Sequence, residues 1–130
     1  MIVALHAATG AATGALTRSR LAALAIGPVL HIAGDRVPHR HPAHSAWEYL
    51  GGILAIGILA ERRGAFDAAT IGAAAAVMPD FEHVVPGLRE RGVKVFHRRP
   101  GRGRRRRGST GVSVGTQTLL AAMILTPLLR

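Results

Sequence analysis

The sequence predicts an all-α, membrane-associated bundle of four to five short helices arranged as two hairpins, with a long basic loop before the last helix. Three observations predict it. Five apolar stretches, near residues 2–16, 21–34, 46–60, 66–78 and 112–128, are built mainly from Ala, Leu, Ile and Gly, and none alternates with the period of a half-buried strand. The 130 residues include 23 Ala and 16 Gly but only five aromatic side chains (Phe66, Phe81, Phe96, Trp47 and Tyr49). Ala and Gly bury little area each, so they suit helices that approach closely, as helices do in lipid. Finally, the net charge of +10 is local, because segment 89–107 holds ten Lys/Arg against one Glu. Composition also sets exclusions. With 48% hydrophobic and 18% charged residues the chain is not wholly disordered. With no cysteine, disulfides, thiolate metal sites and Cys nucleophiles are excluded.

The first stretch, 2–16, ends at the polar turn Thr17, Arg18, Ser19, Arg20. It lacks the basic region and cleavage site of a signal peptide, so it is expected to stay in the mature protein. The second, 21–34, holds Pro28, which predicts a kink, and gives way to a Pro-rich loop over 34–42. The third opens at Ser45 and Glu48, spaced as a capping box, and closes at Glu61, Arg62, Arg63 and Gly64. The fourth ends near Pro79 and Pro86. Segment 97–111 is basic, Gly-rich and unable to bury anything. The expected organisation is a helical bundle over 1–88, a basic loop over 89–111 and an apolar, membrane-bound helix over 112–130.

The first four stretches are near 14 residues, or about 21 Å at 1.5 Å per residue. A spanning helix needs about 20 residues for a core of about 30 Å, so each run alone predicts crossing only weakly. Together they are too much apolar helix for an ordinary soluble domain, which favours a membrane-embedded or membrane-hugging chain.

Polar residues are distributed unevenly. Folding the first hairpin about its turn brings His6 and His31 to one end, and folding the second about residue 64 does the same for Glu48 and Asp80. All seven histidines avoid the turns 17–20 and 61–67, which make a plain end. The other end collects His6, His31, Asp35, His39, His41, His44, Glu48, Asp80, Glu82, His83 and His97. Imidazole and carboxylate without thiolate suit Zn, with Mn or Fe as alternatives. His31 and Asp35 share a helix face at i,i+4. Asp35 and Asp80 fall at helix C-termini, where the macrodipole disfavours an anion unless a cation lies nearby.

A family resemblance is carried by the same residues. His31, Asp35, Pro38 and His39 resemble an H-x-x-x-D-x-x-P-H element; Pro79, Asp80, Glu82 and His83 resemble P-D-x-D/E-H; His6 and Gly10 resemble H-x-x-x-G. These elements belong to small bacterial membrane proteins grouped as metal-dependent hydrolases. That group is in turn similar to zinc-dependent phospholipase C and P1-type nucleases, which are helical and hydrolyse phosphoesters with clustered zinc ions. The resemblance implies that His6, His31, Asp35, His39, Asp80 and His83 ligate a divalent metal. It also implies a phosphoester, phospholipid-like substrate and a place in the bacterial inner membrane. On this reading Glu48 or Glu82 serves as general base or orients a ligand. Arg36 and Arg40 hold an anionic headgroup.

Plainer roles stand beside these. His6 can bond a neighbouring hydroxyl such as Thr9; His31 and Asp35 can form a helix-end ion pair; Asp80 and His83 can be turn residues. His39, His41 and His44 can be solvated, as can Glu82, while Glu48 can be only a cap and His97 a bystander to the basic run. Trp47 and Tyr49 fit an interfacial belt. Segment 89–107 attracts anionic lipid headgroups, which orients the histidine-rich end towards the cytoplasm. It binds nucleic acid less convincingly, since Phe96 is its one aromatic residue. The alternative to a hydrolase is a non-catalytic small integral membrane protein that binds a metal, anionic lipid or nucleic acid.

Overall fold

The structure is a computed structural model that describes residues 1–41, 45–83 and 111–130; of Ser45 and residues 81–83 it describes the backbone. Five helices form: α1 (Val3–Thr17), α2 (Arg20–Asp35), α3 (Ser45–Arg63), α4 (Ala68–Val77) and α5 (Val114–Leu128). A 3-10 turn, Met78–His83, continues α4. The described residues contain no strand, only an isolated bridge between His39 and Val112. Residues 89–110 of the predicted basic loop, His44 and His97 lie outside the described residues.

Local chemistry explains the boundaries. Ser19 accepts from the Ala22 amide and opens α2. Asp67 accepts from the Ala69 amide and opens α4, which is why that helix begins after Phe66. Ser113 caps α5 in the same way. Arg18 ends α1 in the left-handed region, φ 52, its amide donating to the Gly14 carbonyl.

The helices alternate in direction, with their turns at one end and the histidines at the other. Both predicted hairpins form, yet the closest packing runs between them. A Cβ at Gly10 of α1 would stand 2.1 Å from the Gly72 carbonyl of α4, and one at Gly14 would stand 1.9 Å from the Ala68 carbonyl. Glycine is required there because backbone touches backbone. The core joins Val3, Ala7 and Ala11 to Ala55, Leu59, Ala69, Ala73 and Val77. Large apolar side chains point outward instead: Leu21, Leu24, Val29, Trp47, Leu50, Ile53, Leu54, Leu119 and Met123 are exposed.

The expected spans are not present among the described residues. No helix is long and apolar enough to cross a membrane. α3 has 19 residues, but Glu48, Glu61, Arg62 and Arg63 occupy its two ends.

Candidate metal centre

α1 contributes His6, the C-terminal half of α2 contributes His31 and Asp35, and the 3-10 turn contributes Asp80. The two imidazoles are fully buried and stacked, with centroids 3.9 Å apart and planes 22° from parallel. Gly34 leaves room for the Met1 side chain and the edge of this stack, since a Cβ there would lie 2.2 Å from Met1 Cε and 3.2 Å from His6 Cε1. One ligand atom each from His6, His31 and Asp80 falls within 4.8 Å of the others. Asp35 ties the pair together, its Oδ1 3.0 Å from His6 Nε2 and its Oδ2 3.2 Å from His31 Nε2. Asp80 Oδ1 is 3.6 Å from His31 Nε2.

Hydrogen bonding assigns His31 its tautomer. Its Nδ1–H donates to the Ala76 carbonyl at 2.8 Å, so Nε2 is the atom turned towards both carboxylates. A backbone carbonyl holding one ring nitrogen while the other faces outward is the usual support of a ligating histidine. His6 Nδ1 is buried and has no hydrogen-bond partner. That orphaned lone pair and the two carboxylates fit a cation. The predicted bond from His6 to the Thr9 hydroxyl is not made; Thr9 donates to the carbonyls of Leu5 and His6.

The charges follow from these contacts. Burial lowers the His6 pKa to about 4 against the opposing bond to Asp35, so the ring is neutral at pH 7. Burial acts the same way on His31, but the Asp35 bond and the Asp80 and Asp35 charges outweigh it and raise its pKa. Burial opposes ionisation of Asp35 too; bonds from His31, His6 and the Met1 amine nonetheless hold it well below the usual carboxylate range.

Beside the cluster lies a cavity of about 190 Å³, lined among others by Asp35, Asp80, Tyr49, Glu48, His41 and Met1. His41 Nδ1–H donates to the Glu48 carboxylate at 3.0 Å, and that bond is what raises the His41 pKa. His41 Nε2 is 2.9 Å from His39 Nε2. Burial lowers His39, whose Nδ1–H donates to the Val37 carbonyl at 2.6 Å. The Met1 amine links both groups, pairing with Asp35 and lying 2.8 Å from His39 Nε2. Burial, with the charges of Asp80 and Glu48, raises the Tyr49 hydroxyl.

The structure therefore brings together His6, His31, Asp35 and Asp80, with Glu48 across the cavity and His39 one amine away. Arg36 and Arg40 are exposed and do not line the cavity. The side chains of Glu82 and His83 lie outside the described residues. Sequence reasoning missed three supports. One is the Met1 amine. Another is Gln117, buried on α5, which accepts from the Ile2 amide and donates to the carbonyls of Arg40 and Val112. The third is the Ala76 carbonyl. Only Gln117 left a trace in the sequence, as a polar residue in an apolar helix.

Comparison of the chain with protein families, with curated proteins and with solved structures finds no match.

Proposed function

We propose that the chain is a metal-dependent hydrolase working at a membrane, with a phosphoester of the phospholipid type as its substrate class. The observation that carries this reading is the convergence of His6, His31 and Asp80, from α1, α2 and the 3-10 turn, beside a polar cavity. Zinc suits this donor set, as do manganese and iron. When bound, such an ion lowers the pKa of a coordinated water to about 7 and polarises a phosphoryl oxygen.

The chain's own residues have separable tasks. Ala76 aims His31 Nε2 by holding Nδ1–H. Asp35 fixes both imidazoles, and neutral His6 offers a lone pair. Glu48, whose side chain is only 10% exposed, serves as general base on the cavity wall, and His41 behind it passes the proton outward. Tyr49 keeps its proton and is a donor for a substrate oxygen. Arg36 and Arg40, on the exposed segment after α2, attract the anionic headgroup.

The membrane assignment rests on the outward-facing apolar side chains of α2, α3 and α5 together with the basic segment 89–107. The reading places the chain at the bacterial inner membrane with its metal centre on the cytoplasmic side. A non-catalytic reading has one observation in its favour: the Met1 amine already supplies Asp35 with a cationic partner.

Elemental analysis of the purified chain tests the metal, and hydrolysis of bis-p-nitrophenyl phosphate tests the chemistry. The expected result is bound divalent metal in the wild type, its loss in His31→Ala and Asp80→Ala, and its retention without hydrolysis in Glu48→Gln. Equal metal in all of them removes the reading. Metal without hydrolysis in the wild type leaves the binder.

A further inference from the structure

The end that sequence reasoning treats as plain is not plain. It holds a second cavity of about 190 Å³, walled by Arg18, Arg20, Arg63 and Asp67 over a floor that includes Gly14 and Ala68. The floor is low because α1 and α4 touch there through backbone, leaving no side chain to fill the space. One negative charge faces three positive ones, and that negative charge is already committed. Asp67 accepts from the Ala69 amide at 2.9 Å and from Arg63 Nε at 3.0 Å. Arg63 is held in place as well, donating through Nη1 to the Leu128 carbonyl at the end of α5.

Arg18 and Arg20 remain. Among the described residues neither guanidinium has a hydrogen-bond or ion-pair partner, and both are exposed at the cavity mouth. Arg18 has a left-handed backbone, which Gly or Asn adopts with less strain. What arginine adds at this position is its long cationic side chain. The apolar neighbours Leu16, Leu21 and Phe66 are 84%, 80% and 75% exposed. Each is the sequence neighbour of a residue that lines the cavity: Ala15, Arg20 and Asp67.

We propose that this cavity binds a phosphate-bearing anion, gripped by Arg18 and Arg20 with Arg63 behind them. A guanidinium pair matches phosphate oxygens in number and geometry. The source is either a lipid headgroup, with Leu16, Leu21 and Phe66 against the acyl region, or a soluble phosphate. Arg18, the C-cap of α1, is 12 residues beyond His6, or about 18 Å at the rise of an α-helix. The site is thus separate from the metal centre and does not depend on it.

The test titrates inorganic phosphate into the full chain by calorimetry and floats the chain on phosphatidylcholine vesicles with and without phosphatidic acid. The variant is Arg18→Asn with Arg20→Gln, which respects the backbone at both positions; Arg18→Lys with Arg20→Lys is its charge-keeping control. A third variant replaces Arg104, Arg105, Arg106 and Arg107 by Gln to remove diffuse attraction from the basic segment. Phosphate affinity is expected to fall about tenfold or more in the first variant, to fall less in the lysine variant, which keeps the charge but not the fork, and to hold in the basic-segment variant. Flotation on phosphatidic acid that falls in the first variant, and that phosphate competes away, assigns a lipid headgroup. Phosphate binding with flotation unchanged assigns a soluble phosphate. Equal phosphate affinity in wild type and the first variant, at unchanged helical circular dichroism, overturns the proposal. So does a loss seen only in the basic-segment variant, or a wild type that binds neither probe.

Discussion

Replacing Gly10 by Ala tests whether α1 and α4 meet through backbone. An added Cβ would lie 2.1 Å from the Gly72 carbonyl oxygen and 2.7 Å from the Ala76 Cβ, whereas ordinary contact begins at 3.4 Å. Neither obstacle is the flexible end of a side chain, so the helices must separate. Overpacking of this kind costs about 1–3 kcal/mol, and a backbone obstacle belongs at the upper end. The better helix propensity of Ala returns about 0.5–1 kcal/mol, which leaves a net loss of about 2 kcal/mol. For a chain of 130 residues each kcal/mol moves Tm by roughly 3–5 °C, so melting should fall by about 8 °C. Gly57→Ala is the internal reference. It lies within α3 with nothing within 4 Å of its Cβ position, so only the propensity gain remains. Thermal and urea unfolding followed by circular dichroism read both variants. If Gly10→Ala melts at or above Gly57→Ala, the close approach of α1 and α4 is wrong, and the placement of the site with it.

Three further outcomes follow from the site. In metal-free protein, neutral His6 makes folding sensitive to acid. The unfolded chain takes up a proton below its ordinary pKa of 6.5 while the folded ring waits until about 4, so stability falls as pH drops through that window by up to about 3 kcal/mol. His31, with its raised pKa, works oppositely and contributes stability below 6.5; His6→Asn should therefore flatten or reverse the urea-midpoint profile between pH 7 and pH 4.5. Gln117→Ala leaves the Ile2 amide without its acceptor and removes the donor to the Arg40 and Val112 carbonyls, the latter keeping its bond from the Arg40 amide, and a loss of about 1–2 kcal/mol is expected, with faster amide exchange at Ile2. Zinc at one hundred times its Kd should stabilise the wild type by about 2.7 kcal/mol, chelation should reverse the gain, and His31→Ala with Asp80→Ala should show none, as melting curves report.

How much was legible depended on whether a signal was local or periodic. Counting residues outward from the turns places His6 beside His31 and Glu48 towards Asp80, because a helix advances by a constant rise and short turns keep hairpins antiparallel. The i,i+4 spacing of His31 and Asp35 foretells their 3.2 Å contact in the same way. The α1–α4 contact had no such signal. α4 is buried nearly all round and almost wholly small, so its sequence does not say which face meets which neighbour. The support from Ala76 was invisible because a backbone carbonyl carries no residue identity. The arginine cavity was missed because charged turns are ordinarily solvated; only the packing of Gly14 against Ala68 turns three such charges into the wall of a cavity.

The small residues that blur the helix faces are also what brings the site together. Gly27 lets α2 lie on α4, where a Cβ would stand 2.6 Å from that of Ala75, and this contact puts His31, one turn further along α2, within reach of the Ala76 carbonyl. Gly34, another turn along, leaves the space taken by the Met1 side chain and the edge of the His6 ring. A larger residue at Gly27 would push α2 off the α4 backbone and draw His31 away from the Ala76 carbonyl. The displaced bulk, Leu21, Leu24 and Val29, is carried on the outside of α2. On this argument the exposed apolar surface and the buried histidine pair have one cause: a helix thinned on its inner face to let polar groups meet has its hydrophobic mass on the outer face.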